Sequence, residues 1–350
     1  MKSETTQALF RILFTLIVAL TIGAIVIIAI GQNPFEAYGA LLNGAFKGPR
    51  GLGSTLAMFT PLLLTSIAFA VAAKAGMFNV GVEGSVFLGG LAAAFVGVQL
   101  SVVPGPFLVL LCFAVAIIVA ALWALIPALL KVYLNVNEVC VTILMNSVAF
   151  YITSYFVSGP MSAGTTIAQS KPVAATLYQF MPPSSVNVGL FIAIVVVLAV
   201  IWSIDRTTFG YQIKAVGTNA KFAETAGTDP KKIMIRAMML SGAIGGVAGC
   251  IEVLGVHGYF LNNFAAGLGA SGMLASLIVN NNLVFAPFMA FFLAILKSGA
   301  MGMQQTTGVP KSIVDMISAI FIIIACMNIV FTFVRKKKLS KLTMRKEGIR

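Results

Sequence analysis

Long apolar runs separated by short polar breaks dominate the chain. Runs of about 20 residues match the length that an α-helix needs to cross a hydrocarbon core of roughly 30 Å. The strand-type alternation of membrane β-barrels is not seen, and in lipid each segment has to satisfy its own backbone polar groups. The pattern predicts an all-α polytopic membrane protein, with spans at 10–30, 55–73, 85–100, 107–130, 139–158, 188–204, 237–257, 267–281, 284–303 and 312–334.

Composition supports this assignment, and the charge distribution orients it. The 350 residues are 59% hydrophobic and only 9% charged, whereas soluble domains carry about 25% charged residues. With the N-terminus inside, 18 of the 23 Lys and Arg residues fall on the cytoplasmic side, as the positive-inside tendency requires. We expect ten spans, or eight, with both termini cytoplasmic. Topology then explains the net charge of +13, and no nucleic-acid partner is expected.

We expect a single transmembrane domain over residues 1–350. Its polar parts are a cytoplasmic N-terminus (1–9), a cytoplasmic loop (205–236) and a basic cytoplasmic tail (335–350). The tail either anchors the topology alone or also binds anionic headgroups of the bilayer, which attract clustered basic residues. The four cysteines and the single histidine share no ligand spacing, so no metal ion or other cofactor is expected on this chain.

One stretch, AGMFNVGVEGSVFLGG at 75–90, interrupts the apolar pattern between the second and third spans, and we place it near the inner face. Gly81 and Gly84 allow the backbone to turn or to approach a neighbouring helix closely. Broken helices of this kind line solute pathways in transporters. Glu83, inside the break, either contacts solute or accepts hydrogen bonds from the free amides of the next helix, whose dipole favours a negative charge.

Polar side chains at membrane depth are costly and usually face a cavity or the interior of the bundle. On this ground the candidate pathway residues are Asn79, Glu83, Asn146, Glu252 and His257. Asn137 and Glu138, by contrast, precede an apolar run and are interpreted as a helix cap. His257 either contacts a solute near the outer end or lies among interfacial aromatics. Two pairs of glycines, 242 with 246 and 245 with 249, are each four residues apart and predict close helix packing.

The cytoplasmic loop, DRTTFGYQIKAVGTNAKFAETAGTDPKKIMIR, contains a short predicted helix over Ala220–Ala226. Thr218 or Asn219 caps its start, and Gly227 ends it. Asp229-Pro230 then begins the next helix. A helix this short is unstable alone, so it either docks into another protein or is a solvated connector.

This loop resembles the cytoplasmic loop of ABC importer permeases, whose pattern is Glu-Ala-Ala, three residues, Gly. The matching stretch here, KFAETAG, keeps Ala223 and Gly227 but lacks the glutamate and the first alanine. That departure is typical of the branched-chain amino acid, simple-sugar and nucleoside branch. Three further stretches, at 75–97, 136–160 and 209–260, resemble the same branch, and VNEV…LMN, SGP and IEVLGVHGYF are most similar to its nucleoside members.

The resemblance implies a permease subunit, not an enzyme, in a bacterial cell membrane, built from two halves related as inverted repeats. Its coupling helix would comprise Thr218, Asn219, Lys221, Ala223, Glu224 and Gly227. The implied partners are a separate ATPase that binds ATP and Mg²⁺, a second homologous permease chain, and an extracellular solute-binding protein. Nucleosides are the expected solute. The alternatives are simple sugars or branched-chain amino acids, followed by an ion-coupled secondary transporter.

Overall fold

The protein, described as a computed structural model over residues 20–310, 312–317 and 319–320, is built from helices joined by short connections. Strand pairing in this part of the chain is limited to isolated bridges. The helices are α1 Leu20–Ala29, α2 Pro34–Phe46, α3 Gly48–Lys74, α4 Val82–Gln99, α5 Gly105–Leu134, α6 Glu138–Ser158, α7 Gly189–Arg206, α8 Thr208–Thr218, α9 Ala220–Thr225, α10 Pro230–Ile251, α11 Leu268–Ile278 and α12 Ala286–Thr307. A π-helix, Glu252–His257, continues α10 without interruption.

The predicted all-α polytopic architecture is confirmed. Within the described residues, seven helices are long and apolar enough to cross a membrane, and eight if the bent pair α1 and α2 forms one span. The predicted span at 267–281 is wrong, because α11 has only 11 residues and covers about 16 Å at 1.5 Å per residue. The predicted spans at 10–30 and 312–334 lie largely outside the described residues.

Side-chain caps set the boundaries of several helices. Asn137 begins α6 by accepting from the amides of Val139 and Cys140 at 2.9 and 3.4 Å, which confirms its predicted role. Glu138 forms an ion pair with Lys131 at 2.9 Å across the α5–α6 turn. The capping interpretation of this dipeptide is therefore sufficient, and neither residue needs a role in a pathway.

The chain divides into two compact units, residues 1–45 with 296–350, and residues 46–295. In the described part of the first unit, the Tyr38 hydroxyl donates to the Leu20 carbonyl at 2.6 Å. Helices α2 and α12 approach closely where the backbone of Gly44 faces that of Gly302. The second unit, called unit 2 below, contains α3 to α11 and all the predicted pathway residues.

Helix α10 occupies the centre of unit 2 and contacts α4 and α5 through glycines. A side chain at Gly249 would meet the Val86 carbonyl of α4, and one at Gly246 would meet the Ala116 carbonyl of α5. Small residues permit such backbone approach in lipid, where packing rather than the hydrophobic effect holds helices together. The predicted packing role of these glycines is confirmed.

The two ends of unit 2 differ in structure. At the α8–α9 end, Gly217 of α8 lies against the end of α3 at Lys74, and the Lys231 ammonium lies over the Tyr133 ring at 5.6 Å. The opposite end is crossed by residues 168–179 of the α6–α7 connection, called the strap below. Its bonds to the chain beyond α10 include Val173 N to Gly258 O at 2.9 Å and Leu177 N to Leu254 O at 2.8 Å.

Replacing Gly249 by Ala is expected to destabilise the protein by about 1–3 kcal/mol, because the new methyl group would overlap the Val86 carbonyl. Gly105→Ala is the matched control, since no atom lies near the added methyl group there. Thermal unfolding in detergent, followed by circular dichroism, measures both variants. Equal stability of the two would contradict close packing between α4 and α10.

Candidate functional site

The predicted break is a non-helical turn that packs against α10. After α3 ends at Lys74, the non-helical stretch 75–81 turns back into unit 2 before α4 begins. The Asn79 amide nitrogen donates to the Ser241 hydroxyl of α10 at 2.9 Å. Ser241 is eleven residues beyond Pro230, about 16 Å along the helix. The break therefore contacts α10 inside the bundle, and its expected position near the inner face stays a prediction.

Two asparagines satisfy the backbone of the break. The Asn146 side chain, on α6, accepts from the Gly84 amide at 2.8 Å and donates to the Val80 carbonyl at 3.0 Å. The Asn79 side chain accepts from the Gly81 amide at 3.0 Å. These two predicted pathway residues therefore hold the irregular backbone in this structure, and the hydrogen-bonding groups of Asn146 are taken up on both sides.

Glu83 has a different environment. Its side chain is half-buried and makes no hydrogen bond or ion pair with the residues that the structure describes. Glu83 was expected either to contact solute or to accept from free amides of the next helix, and the Gly84 amide in the first turn of that helix is taken by Asn146. Glu83 instead lies against Gly269, in the first turn of α11. The first turns of α4 and α11 thus meet at Glu83, and the inverted repeat stays a prediction.

Trp123 of α5 belongs to the same region and was missed by the sequence interpretation. Its indole Nε1 is buried and has no hydrogen-bond partner among the described residues. This nitrogen and the Asn146 Oδ1 both lie within 3.1 Å of the point where a Gly84 side chain would begin. A tryptophan in a long apolar run carries no sequence signal for this position, because only packing of α5 against the break brings it there.

Glu252 and His257 form a second group, at the strap end of α10. They are the first and last residues of the π-helix. The Glu252 side chain is only 7% exposed, whereas His257 is half-buried and lies 6.1 Å from the ring of Phe264. Phe264 in turn packs edge-on against Phe87 of α4 at 5.7 Å. The five predicted residues therefore lie at two levels of the bundle, and sequence reasoning missed the phenylalanines of the second level.

The loop helix forms as predicted, as α9. Asn219 rather than Thr218 is its cap, accepting from the Phe222 amide at 3.1 Å, while the Thr218 hydroxyl donates to the Lys214 carbonyl. Gly227 follows the helix with φ +83°. Asp229 begins α10 by accepting from the Lys232 amide at 3.2 Å. This bond holds the pKa of the Asp229 carboxyl below its usual value, so the cap is fully charged at neutral pH.

One face of α9 is buried and the other is exposed. Ala223, the alanine of the motif, is 1% exposed, whereas the neighbouring Phe222 is 68% exposed. Lys221 and Glu224 are also exposed. The motif therefore marks the side of α9 that packs inward. The exposed aromatic side chain, which the sequence pattern does not identify, marks the outward side of α9.

Comparison with known proteins identifies the family of this chain. The family described as "Branched-chain amino acid transport system / permease component" matches residues 51–326. The chain belongs to this family. It is a multi-pass permease subunit of an ABC transporter, a transport component that works with an ATPase and a solute-binding protein. No solved structure matches it.

The permease is similar to several named relatives over most of its length. The guanosine ABC transporter permease protein NupP of Bacillus subtilis (strain 168) is 32% identical over 333 residues, covering 93% of this chain and 95% of the relative. The nucleoside ABC transporter permease protein NupB of Lactococcus lactis subsp. cremoris is 30% identical, covering 92% and 91%. The glucose ABC transporter permease protein TsgB13 of Haloferax volcanii is 32% identical, covering 88% and 84%.

Replacing Asn146 by Ala is expected to destabilise the permease by about 2–4 kcal/mol, because it leaves the Gly84 amide and the Val80 carbonyl without their partner. Val148→Ala is the control, because Val148 is an exposed side chain of the same helix and its loss should cost less. Thermal unfolding in detergent distinguishes the two. An Asn146→Ala protein as stable as the parent would show that the break does not depend on this side chain.

Proposed function

We propose that the permease forms the translocation pathway of an ATP-driven importer for nucleosides. The named relatives support a solute rich in hydroxyl groups: one is a guanosine permease, one a nucleoside permease and one a glucose permease. Guanosine and glucose both carry adjacent hydroxyl groups and no net charge. A simple sugar is therefore the second candidate, ahead of a branched-chain amino acid or an ion-coupled secondary transporter.

The observation that carries this proposal is the charge inside unit 2. Glu83, in the first turn of α4, and Glu252, where α10 passes into the π-helix, have no partner among the described residues. Lys and Arg residues of the spanning helices α3 to α7 and α10 occur only within the two turns next to a helix end. An ionised carboxylate accepts hydrogen bonds from hydroxyl or amine groups and repels other anions. The pathway thus suits a neutral polyhydroxy solute better than an amino acid, which carries a carboxylate.

The aromatic rings at the strap end favour a nucleoside over a simple sugar. His257 and Phe264 lie 6.1 Å apart, and Phe264 contacts both Phe87 and Phe260. Nucleobases bind by stacking on aromatic side chains, a contact that every base can make. A free sugar offers no flat aromatic surface of this kind.

The charge distribution supports the orientation. Basic residues of unit 2 are concentrated at the α8–α9 end, where they include Lys74, Lys131, Arg206, Lys214, Lys221, Lys231, Lys232 and Arg236. By the positive-inside tendency this end is cytoplasmic, as are both termini. We place the ATPase, with its ATP and Mg²⁺, against α9, and the solute-binding protein at the strap end. A second homologous permease chain completes a heterodimer, and the permease itself binds no cofactor.

Replacing Phe222 by Ala is expected to reduce solute-stimulated ATP hydrolysis at least about tenfold, since exposed aromatic anchors contribute most to interfaces of this kind. Tyr133→Ala is the control, because Tyr133 is 63% exposed at the same end but lies outside α9. Two quantities are measured: the ATPase activity of the reconstituted transporter, and the co-purification of the ATPase subunit with the permease. Unchanged coupling in Phe222→Ala would contradict docking through α9.

Uptake competition tests the solute. Proteoliposomes with the complete transporter and internal ATP should accumulate labelled guanosine, and excess unlabelled adenosine or uridine should compete. Excess leucine should not. Transport of leucine in place of guanosine would overturn the nucleoside assignment, and competition by ribose or glucose alone would favour the sugar alternative. Uptake driven by an ion gradient without the ATPase would contradict the whole proposal.

A further inference from the structure

Glu252 is a buried carboxylate for which the described fold provides no hydrogen-bond donor. Its side chain is 7% exposed, and it makes no hydrogen bond or ion pair with any residue that the structure describes. Burying a charge without a partner costs several kcal/mol in membrane proteins, and such residues usually serve transport. By contrast, Glu138, in the first turn of α6, is paired with Lys131.

The position of Glu252 is fixed by the strap. Glu252 is the first residue of the π-helix, a geometry that occurs frequently at functional sites. Two carbonyls of this π-helix point outward to the strap: the Leu254 carbonyl accepts from the Leu177 amide at 2.8 Å, and the Gly255 carbonyl accepts from the Gln179 side chain at 2.9 Å. The turn that carries Glu252 is therefore held in place before any solute arrives.

Helix geometry places Glu252 on the side of α10 that faces α4. Ser241, Gly245 and Glu252 are spaced by four and seven residues, so they share one face of the helix. Gly245 on this face lies against Ser85 of α4, and Ser241 binds Asn79 of the break. Glu252 lies eleven residues beyond Ser241, about 16 Å further towards the strap end. A solute entering from that end reaches Glu252 before it reaches Glu83.

We propose that Glu252 is the entry acceptor of the permease, a carboxylate that takes hydrogen bonds from the two adjacent ribose hydroxyls of an incoming nucleoside. The two oxygens of an ionised carboxylate accept two donors side by side, and such charge-assisted pairs are stronger than neutral ones. The diol supplies the donors that the fold withholds from Glu252, and hydrogen bonds to the charged form of a carboxyl group stabilise that form. This assignment rests on the nucleoside import proposed above.

The test uses the complete transporter in proteoliposomes, with initial uptake rates of guanosine, 2′-deoxyguanosine and 2′,3′-dideoxyguanosine. Glu252→Gln should lower guanosine uptake by about ten- to hundredfold, the usual effect of losing a hydrogen bond to a charged group. The rate for the dideoxy compound, which lacks the diol, should change little, and the rate for the 2′-deoxy compound should fall by an intermediate factor. Glu252→Asp keeps the charge and should retain part of the difference between the solutes.

Two controls separate this inference from the proposed function. Glu138→Gln removes a carboxylate that is paired at the other end of unit 2 and should leave all three rates unchanged. Binding of each compound to the isolated solute-binding protein is measured first. If that protein binds no nucleoside and the parent transporter takes up none, the proposed function fails.

The remaining outcomes concern Glu252 alone. If the parent imports guanosine and Glu252→Gln does so at the same rate, the entry acceptor is overturned. Equal losses for all three compounds would also overturn it, because the carboxylate would then act on the base or on the fold. Failure of Glu252→Gln to assemble with the ATPase would identify a structural role and reject the proposal in the same way.

Discussion

A backbone that leaves the helical path inside a membrane has to find other partners for its N–H and C=O groups, because lipid offers none. In this permease the stretch between α3 and α4 meets that requirement with asparagine side chains. Asn146 reaches from α6 to the Gly84 amide and the Val80 carbonyl, and Asn79 links the break to α10. Irregular backbone at this depth is therefore stable only because α6 and α10 lie beside it.

Glycines of α4 and α10 allow α10 to lie close to α4 and to the break. Gly89 and Gly249 let the two helices approach until backbone meets backbone, which brings Ser241 within reach of Asn79. The same arrangement leaves two carboxylates at different levels, Glu83 at the break and Glu252 at the strap end, without partners in the described fold. The asparagine side chains thus hold the scaffold, whereas the two carboxylates form no hydrogen bond within its described part.

Hydrogen bonds order both ends of unit 2, through side-chain caps at one end and through the strap at the other. At the α8–α9 end, caps such as Asn219 and Asp229 order a helix too short to be stable alone, and Phe222 is exposed on it. At the other end the strap is bound to the π-helix through backbone hydrogen bonds. Each end thus presents an ordered feature that is held by the spanning helices.

Much of this could be read from the sequence, because lipid imposes simple rules on a chain. Apolar runs predicted helical spans, Asn137 and Asp229 predicted helix starts, and glycines four residues apart predicted close packing; the structure confirms each. The length of α11 was not predictable, since apolar composition alone does not distinguish a short helix from a full span. The pairing of Asn146 with a break 62 residues away, the orphaned Trp123 nitrogen and the isolation of Glu252 were decided only by tertiary structure, because each depends on which helices become neighbours.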